Sequence, residues 1–314
     1  MPDISICCAT YNHEKYLKNA LDGMLMQKGD FTMEILLHDD ASTDGTQAII
    51  KDYAERYPAL IKPLLQTKNQ YSKGIPINET FNFSRAQGKY IALCEGDDYW
   101  TDEYKLQKQF QYMEEHPGCR FCFSNAQVID QKTGDTRRFL PYYPQEVSVY
   151  AKPSKEYGLD EMLALSFIPT ASFLFRREDY QTHKDFLTTP FPYGDLRFKL
   201  FFTSLGYAKL IDEDCCVYRL NVPQSALSLW ALENRAKAYA RYLSAIDFLQ
   251  EMNRRSAGRY QTAFDTAIAG YYDHAIDYLC ESRQLHSKDV RAAIRRRPLW
   301  KRLHIYLKLF LSEL

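Results

Sequence analysis

The chain has 314 residues and 40 Lys plus Arg against 40 Asp plus Glu, so it carries no formal net charge, which argues against nucleic acid as a partner. Its length suits one large α/β domain, alone or with a helical appendage. Eight cysteines do not make a disulfide framework in a chain this long, and Cys7, Cys8, Cys94, Cys119 and Cys122 fall in apolar runs, which points to buried thiols and a reducing compartment. Met1-Pro2-Asp3-Ile4-Ser5 has neither a basic run nor a long apolar stretch, and no window reaches the roughly 20 apolar residues of a spanning helix. The expectation is a cytoplasmic protein, with peripheral attachment to the inner membrane face left open.

In chain order, residues 3–9 read as a buried strand. Thr10-Tyr11-Asn12 breaks it, with Asn12 as a candidate N-cap, before a helix marked by Leu17, Ala20, Leu21 and Met24. Residues 34–38 form a second strand, 39–45 a polar loop, and 46–57 a second helix with Ile49, Ile50 and Tyr53 inward. A strand at 60–66 and a helix at 79–86 ended by Gly88 lead to an apolar strand at 90–94. A helix at 105–116, a strand at 119–130 and a turn at 131–135 follow. Residues 142–153, rich in Pro and Tyr, read as a loop. A helix at 159–165, a strand at 172–176, a helix at 196–205 stopped by Gly206 and a strand at 215–219 complete a domain. Beyond residue 222 helical segments dominate. Alternating strands and helices give a mostly parallel sheet, whose ligands sit at the carboxyl ends of the strands.

Two acidic loops follow such strand ends. Glu95, Asp97 and Asp98 repel one another unless a cation or hydrogen bonds compensate. A divalent cation held by carboxylates is the usual way to neutralise a departing diphosphate; a solvated acidic turn is the other reading. Cys119-Arg120-Phe121-Cys122 has the spacing of a zinc pair but lies in a strand and lacks a second pair, so core packing is expected. The sequence has neither a G-x-G-x-x-G nor a Walker A loop.

The Ala9-Thr10-Tyr11-Asn12 strand end, the Asp39-Asp40-Ala41-Ser42-Thr43-Asp44-Gly45-Thr46 loop and the Gln87-Gly88-Lys89-Tyr90-Ile91-Ala92-Leu93-Cys94-Glu95-Gly96-Asp97-Asp98 run together resemble the family 2 glycosyltransferases of GT-A fold. The match is close over residues 3–116 and continues more faintly through Tyr193-Gly194-Asp195 to Tyr218-Arg219. It implies a Rossmann-like α/β domain over 1–221, mostly parallel with helices on both faces, and a helical C-terminal region over 222–314. It also implies that Thr10, Tyr11, Asn12, Asp39 and Asp97 bind nucleotide. Asp98 would be the principal ligand of Mn²⁺ or Mg²⁺, with Asp97 and Glu95 beside it. A carboxylate at Asp39 suits the N3–H donor of uracil, which makes a UDP-sugar the first donor to test. For Asp39 and Asp44, turn and helix capping is an alternative.

By the same resemblance Asp195 would take the proton from the acceptor hydroxyl, giving inversion at the sugar carbon; capping of its own helix is the alternative. Arg219 would face the diphosphate or make a structural ion pair. Where the family often has Tyr-Arg-x-His, this chain has Tyr218-Arg219-Leu220-Asn221, and Asn221 receives no ligand role. Glu95 also departs from the commoner Asp. The implied partners are a nucleotide diphosphate-sugar donor and a saccharide or lipid-linked acceptor in cell-surface polysaccharide synthesis; a non-catalytic nucleotide- or membrane-binding assembly subunit is the alternative. Residues 285–314 carry eight Lys or Arg against two acids, a net +6, interleaved with Leu299, Trp300, Leu303, Tyr306, Leu307 and Phe310. This is the pattern of a helix lying on an anionic membrane, or of a terminal helix packed on its own domain.

Overall fold

The computed structural model describes residues 1–187, 191–281, 295 and 302. The basic run 285–314 therefore lies outside the described residues apart from Arg295 and Arg302. The chain forms two compact units, Met1–Ser228 and Leu229–Leu314.

The first unit is built on one curled sheet. Its strands are β1 (Ile4–Thr10), β2 (Met33–Asp39), β3 (Ile61–Leu65), β4 (Tyr90–Leu93), β5 (Tyr99–Trp100), β6 (Cys119–Asp130), β7 (Thr136–Arg138), β8 (Glu156–Tyr157), β9 (Leu174–Arg176) and β10 (Tyr207–Leu220). The order is β3-β2-β1-β4-β9-β6-β10-β5, with β7 on β6 and β8 on β10. The ladders β1/β2, β2/β3, β1/β4 and β6/β10 are parallel, and each is longer than any of the antiparallel ones. The expected mostly parallel GT-A sheet is present. Strand order reverses at β1, which pairs β2 on one side and β4 on the other, so a crevice opens beyond its carboxyl end.

The helices of this unit are α1 (Leu17–Leu25), α2 (Thr46–Arg56), α3 (Lys105–Glu115), α4 (Val147–Tyr150), α5 (Leu159–Ala164), α6 (Arg177–Thr182), α7 (Lys184–Leu187) and α8 (Gly194–Ser204), with α9 (Ala226–Trp230) at the unit boundary. Helix α1 buries the face its spacing marks, Leu17, Ala20, Leu21 and Met24, and α2 buries Ile50 and Tyr53 while Ile49 is only half-buried. Helix α8 is different, because residues 197–203 are all buried, including Arg197 and Lys199. Its Phe198 and Phe202 pack on Phe175 of β9, at ring distances of 5.8 and 4.3 Å. Each such aromatic contributes roughly 1.5–3 kcal/mol by leaving water. The second unit contains helices α10 (Arg235–Arg255) and α11 (Gln261–Glu281), of 21 residues each, which pack on each other. Among the described residues no helix is long and apolar enough to cross a membrane.

Several expectations change. Asn12 does not cap α1, whose N-cap is Tyr16; Asn12 instead adopts a left-handed conformation with φ 55°. The helix expected at 79–86 is a single π-turn, Asn78–Asn82, because the Asn82 side chain turns inward to donate to the Cys8 carbonyl at 3.2 Å. The last strand of the domain begins at Tyr207 rather than 215, bent by register shifts within the β6/β10 ladder. The 142–153 stretch contains a 3₁₀ turn, Pro144–Glu146, and then α4. Cys7, Cys8, Cys94, Cys119, Cys122, Cys215 and Cys216 are buried free thiols.

Gly88 is required by space rather than by helix termination. Its amide donates to Ser5 Oγ at 2.8 Å, and a Cβ there would stand 2.4 Å from the Ser5 nitrogen and 2.7 Å from the Ile4 carbonyl carbon. Gly88→Ala must push two backbone segments apart and is expected to cost about 1–3 kcal/mol, read as a lowered midpoint in thermal unfolding.

Candidate active site

The register of the sheet assembles the site. Thr10 pairs Asp39 across β1/β2. Beyond β4 the chain keeps following β1, the Cys94 amide bonding the Cys7 carbonyl and the Gly96 amide that of Ala9. The acidic turn Glu95–Asp98 is thereby laid against the end of β1. Gly96 is packed so closely that a Cβ would lie 2.6 Å from Thr10 Oγ1 and 2.9 Å from His13 Nδ1. Both of those polar atoms are buried without a hydrogen-bond partner.

Beyond the turn, β5 is a firm anchor. The Trp100 side chain is fully buried, donates from Nε1 to the Ala171 carbonyl at 2.7 Å and lies under the Lys105 ammonium. Antiparallel pairing of Cys216 with Trp100 and Val217 with Tyr99 brings the end of β10 to the acidic turn. There the Arg219 amide donates to Asp98 Oδ1 at 2.8 Å and its guanidinium to the Asp97 carbonyl at 2.5 Å. The same guanidinium stacks over Tyr99 and Tyr16. Arg219 thus braces the turn through main-chain oxygen and aromatic faces.

Electrostatics mark this turn. Burial pushes the Asp98 carboxyl well above the usual carboxylate range, with Asp97 and Glu95 adding to it and the Arg219 amide and charge opposing. Burial pushes Glu95 up to about 7, against the Thr170 hydroxyl, which donates to Glu95 Oε2 at 2.7 Å. Among the described residues no group of three or more His, Cys, Asp or Glu side chains is arranged to hold a metal on its own.

On the β2 side Asp39 is fully buried and braced within its loop. It accepts the Ser42 amide at 3.0 Å, the Ser42 hydroxyl and the Gln47 side chain at 2.6 Å. Asp44 accepts the Thr46 amide at the start of α2, as its capping reading expected. Asn12 accepts the Thr43 amide at 2.8 Å and donates to Gln224 at 2.9 Å, tying the β1 loop to that of β2 and to the segment after β10. Tyr11 is half-buried beside it. Asn221 donates to Asp130 and so holds the end of β10.

Asp195 lies in the first turn of α8. Burial raises its carboxyl, while the Lys199 charge and the backbone amides of Leu196 and Ile168 hold it back. Its link to the acidic turn is Tyr218: burial raises that phenol first, and then the charges of Asp98, Asp97, Asp195 and Glu95. The charges of four carboxylates from two distant stretches of sequence therefore act on one phenol. His13, Thr170, Lys199 and Tyr218 were not foreseen as members of this site. His13, with Nε2 3.9 Å from Asp97 Oδ2, directly follows the Ala9–Asn12 strand end, which was the one available clue.

The fold is that of the GT-A glycosyltransferases. The structure of S. aureus TarS residues 1–349 in complex with UDP-GlcNAc superimposes with TM-score 0.65 over 93% of this chain and 79% of that one; at 18% identity the likeness is one of fold. The chain belongs to glycosyl transferase family 2, whose model matches residues 5–183. An uncharacterized protein of Mycobacterium tuberculosis is 41% identical over 175 residues, 56% of this chain and 47% of that protein. A Bacillus subtilis protein named as a teichuronic acid biosynthesis glycosyltransferase, TuaG, is 30% identical over 139 residues, 44% of this chain and 52% of its own. The chain thus spans about half the length of these curated relatives.

Thr170→Val keeps the shape of the side chain and removes the donor to Glu95. Above about pH 7, where Glu95 is ionised, the loss is expected to be about 1 kcal/mol. Near pH 5 the carboxyl is protonated and the loss should largely vanish; thermal unfolding at both values measures the difference.

Proposed function

We propose that the protein is an inverting, metal-dependent glycosyltransferase that moves a sugar from a nucleotide diphosphate, first a UDP-sugar, to a saccharide or lipid-linked acceptor in cell-surface polysaccharide synthesis. The observation that carries this reading is the acidic turn Glu95–Asp98, laid against the end of β1 and held by Arg219 at the end of β10, with the Asp195 charge acting on the same Tyr218 phenol as the charges of that turn. Family membership and the names of TarS's ligand and of TuaG's pathway support it.

In this reading the nucleotide lies in the crevice beyond β1. Thr10, Tyr11 and Asn12 face base and ribose, and Asp39, with its loop, borders the base. Asp97 and Asp98 suit a Mn²⁺ or Mg²⁺ ion. Such ions take one or two carboxylates and complete their shell with phosphate oxygens and water, and the raised Asp98 carboxyl is what a nearby cation would lower. Glu95, held by Thr170, borders that pair. Neutralisation of the departing diphosphate is the chemistry the bound ion supplies. Arg219 keeps the turn in place from behind.

Asp195 is the general base in this reading. Its carboxylate accepts the proton of the acceptor hydroxyl as that oxygen bonds the anomeric carbon, and the bond from that carbon to the diphosphate oxygen breaks with its electron pair leaving on the phosphate. One displacement inverts the sugar carbon. The basic run 285–314 supports contact with an anionic membrane, the expected place of a lipid-linked acceptor.

UDP, GDP, CDP and dTDP, each with and without Mn²⁺, test donor and metal together. UDP with Mn²⁺ is expected to stabilise most, by about 2.7 kcal/mol at 100 times its dissociation constant, and Asp98→Asn to lose the Mn²⁺-dependent part. No response to any diphosphate would overturn the reading. Asp195→Asn is expected to lower kcat by about 100-fold or more with UDP affinity unchanged. In the wild type, activity should fall as pH drops through the raised Asp195 value, above the ordinary ~3.9 of an aspartate.

A further inference from the structure

Helix α8 buries a second charge one turn beyond Asp195. Lys199 is 1% exposed, and its Nζ donates to the carbonyls of Leu165 and Ser166. Positions i and i+4 of a helix share a face, so Lys199 stands one turn from Asp195 on the same side of α8. Two carboxylates act on Lys199, Asp195 from its own helix and Glu146 from the 3₁₀ turn. Asp195 in turn accepts the amides of Leu196 and Ile168, and its charge acts on the Tyr218 phenol.

The contacts continue outward. The Ser166 amide donates to Glu146 Oε1 at 2.6 Å, and Glu146 Oε2 accepts the amides of Tyr142 and Tyr143 at 2.7 and 3.2 Å. Glu146 is fully buried. One buried lysine therefore joins three pieces: the helix bearing Asp195, the 165–170 segment that sends Thr170 to Glu95, and the Tyr-rich 142–146 turn. A lysine costs several kcal/mol to bury when unpaired, and a leucine of similar size would fill the same space, so packing alone does not explain it.

We propose that Lys199 is the positioning residue of the base, setting its charge one helical turn from Asp195 and clamping the 165–170 segment, and through Glu146 the 142–146 turn, against that helix. The proposal rests on Asp195 being the base. Lys199 touches neither substrate; it acts through Asp195 and through the two segments.

The test is a pH titration of the protein carrying ¹³C-carboxyl aspartate, the Asp195 signal being the one lost in Asp195→Asn. Lys199→Gln keeps a donor for the carbonyls and removes the charge, so the Asp195 midpoint should rise by about one unit or more, and Lys199→Arg should restore it. Hydrogen exchange of 142–146 and 165–170 should quicken in Lys199→Gln and not in Lys199→Arg. Where Lys199→Gln fails to fold, the wild type answers: the Asp195 signal should show a second inflection near 8, where Lys199 loses its proton, absent from Lys199→Arg. An unmoved midpoint, or a curve with no second inflection, overturns the proposal. Undiminished UDP release from UDP-N-acetylglucosamine by Asp195→Asn would overturn the base and its positioning residue together, whereas an inactive Asp195→Asn with an unmoved midpoint in Lys199→Gln overturns the positioning role alone.

Discussion

Three carboxylates in four consecutive residues, Glu95, Asp97 and Asp98, stand at the end of a buried strand, where the low dielectric strengthens their mutual repulsion. Much of the surrounding structure compensates for it. Arg219 supplies an amide to Asp98 and a guanidinium to the Asp97 carbonyl, and Thr170 supplies a hydroxyl to Glu95. Trp100, buried and bonded to Ala171, stops the turn from swinging out into water. These contacts leave the Asp98 carboxyl raised rather than neutralising the turn, which is the condition of a site organised for a cationic or strongly polar visitor.

Charge is handled differently on the opposite side. Helix α8 is buried nearly all round and could have been uniformly apolar, yet it carries Arg197 and Lys199 inside. Arg197 pairs with Glu79 of the π-turn that lies against β1 and β2, while Lys199 grips the 165–166 carbonyls. Burial raises the Glu79 carboxyl and lowers the arginine, so the pair favours position more than stability. Both fix the pitch and rotation of the helix that presents Asp195. The family model ends at residue 183, and this helix lies beyond it, as does the bracing strand β10. The half of the cleft built from β1, β2 and β4 lies within the family pattern; the other half is defined here by packing.

The loops at the end of β1 are tied to one another by side chains that sequence reading assigns to ligand. Asp39 takes its donors from Ser42 and Gln47, and Asn12 links Thr43 to Gln224. Such internal bonds fix the crevice wall in advance, which lowers the ordering cost of binding a ligand there.

By itself the sequence determined the class of fold and the motifs that follow β1, β2 and β4, because both are local. Alternation of short apolar runs with helical spacing dictates a parallel α/β sheet, and clustered acids after a strand are visible one residue at a time. The departures arose where a distant partner overruled a local preference. Asn82 turning in toward Cys8 made a π-turn of an expected helix, the proximity of Ser5 and Ile4 made Gly88 obligatory, and the loop ties of Asn12 removed it from the cap of α1. The nearness of Asp195 to the acidic turn, felt in common at Tyr218, and the linking of Lys199 to the Glu146 turn through Ser166 were decided only by tertiary structure. They join residues dozens of positions apart, and no period or spacing records how a sheet's curl and a helix's rotation will aim their side chains.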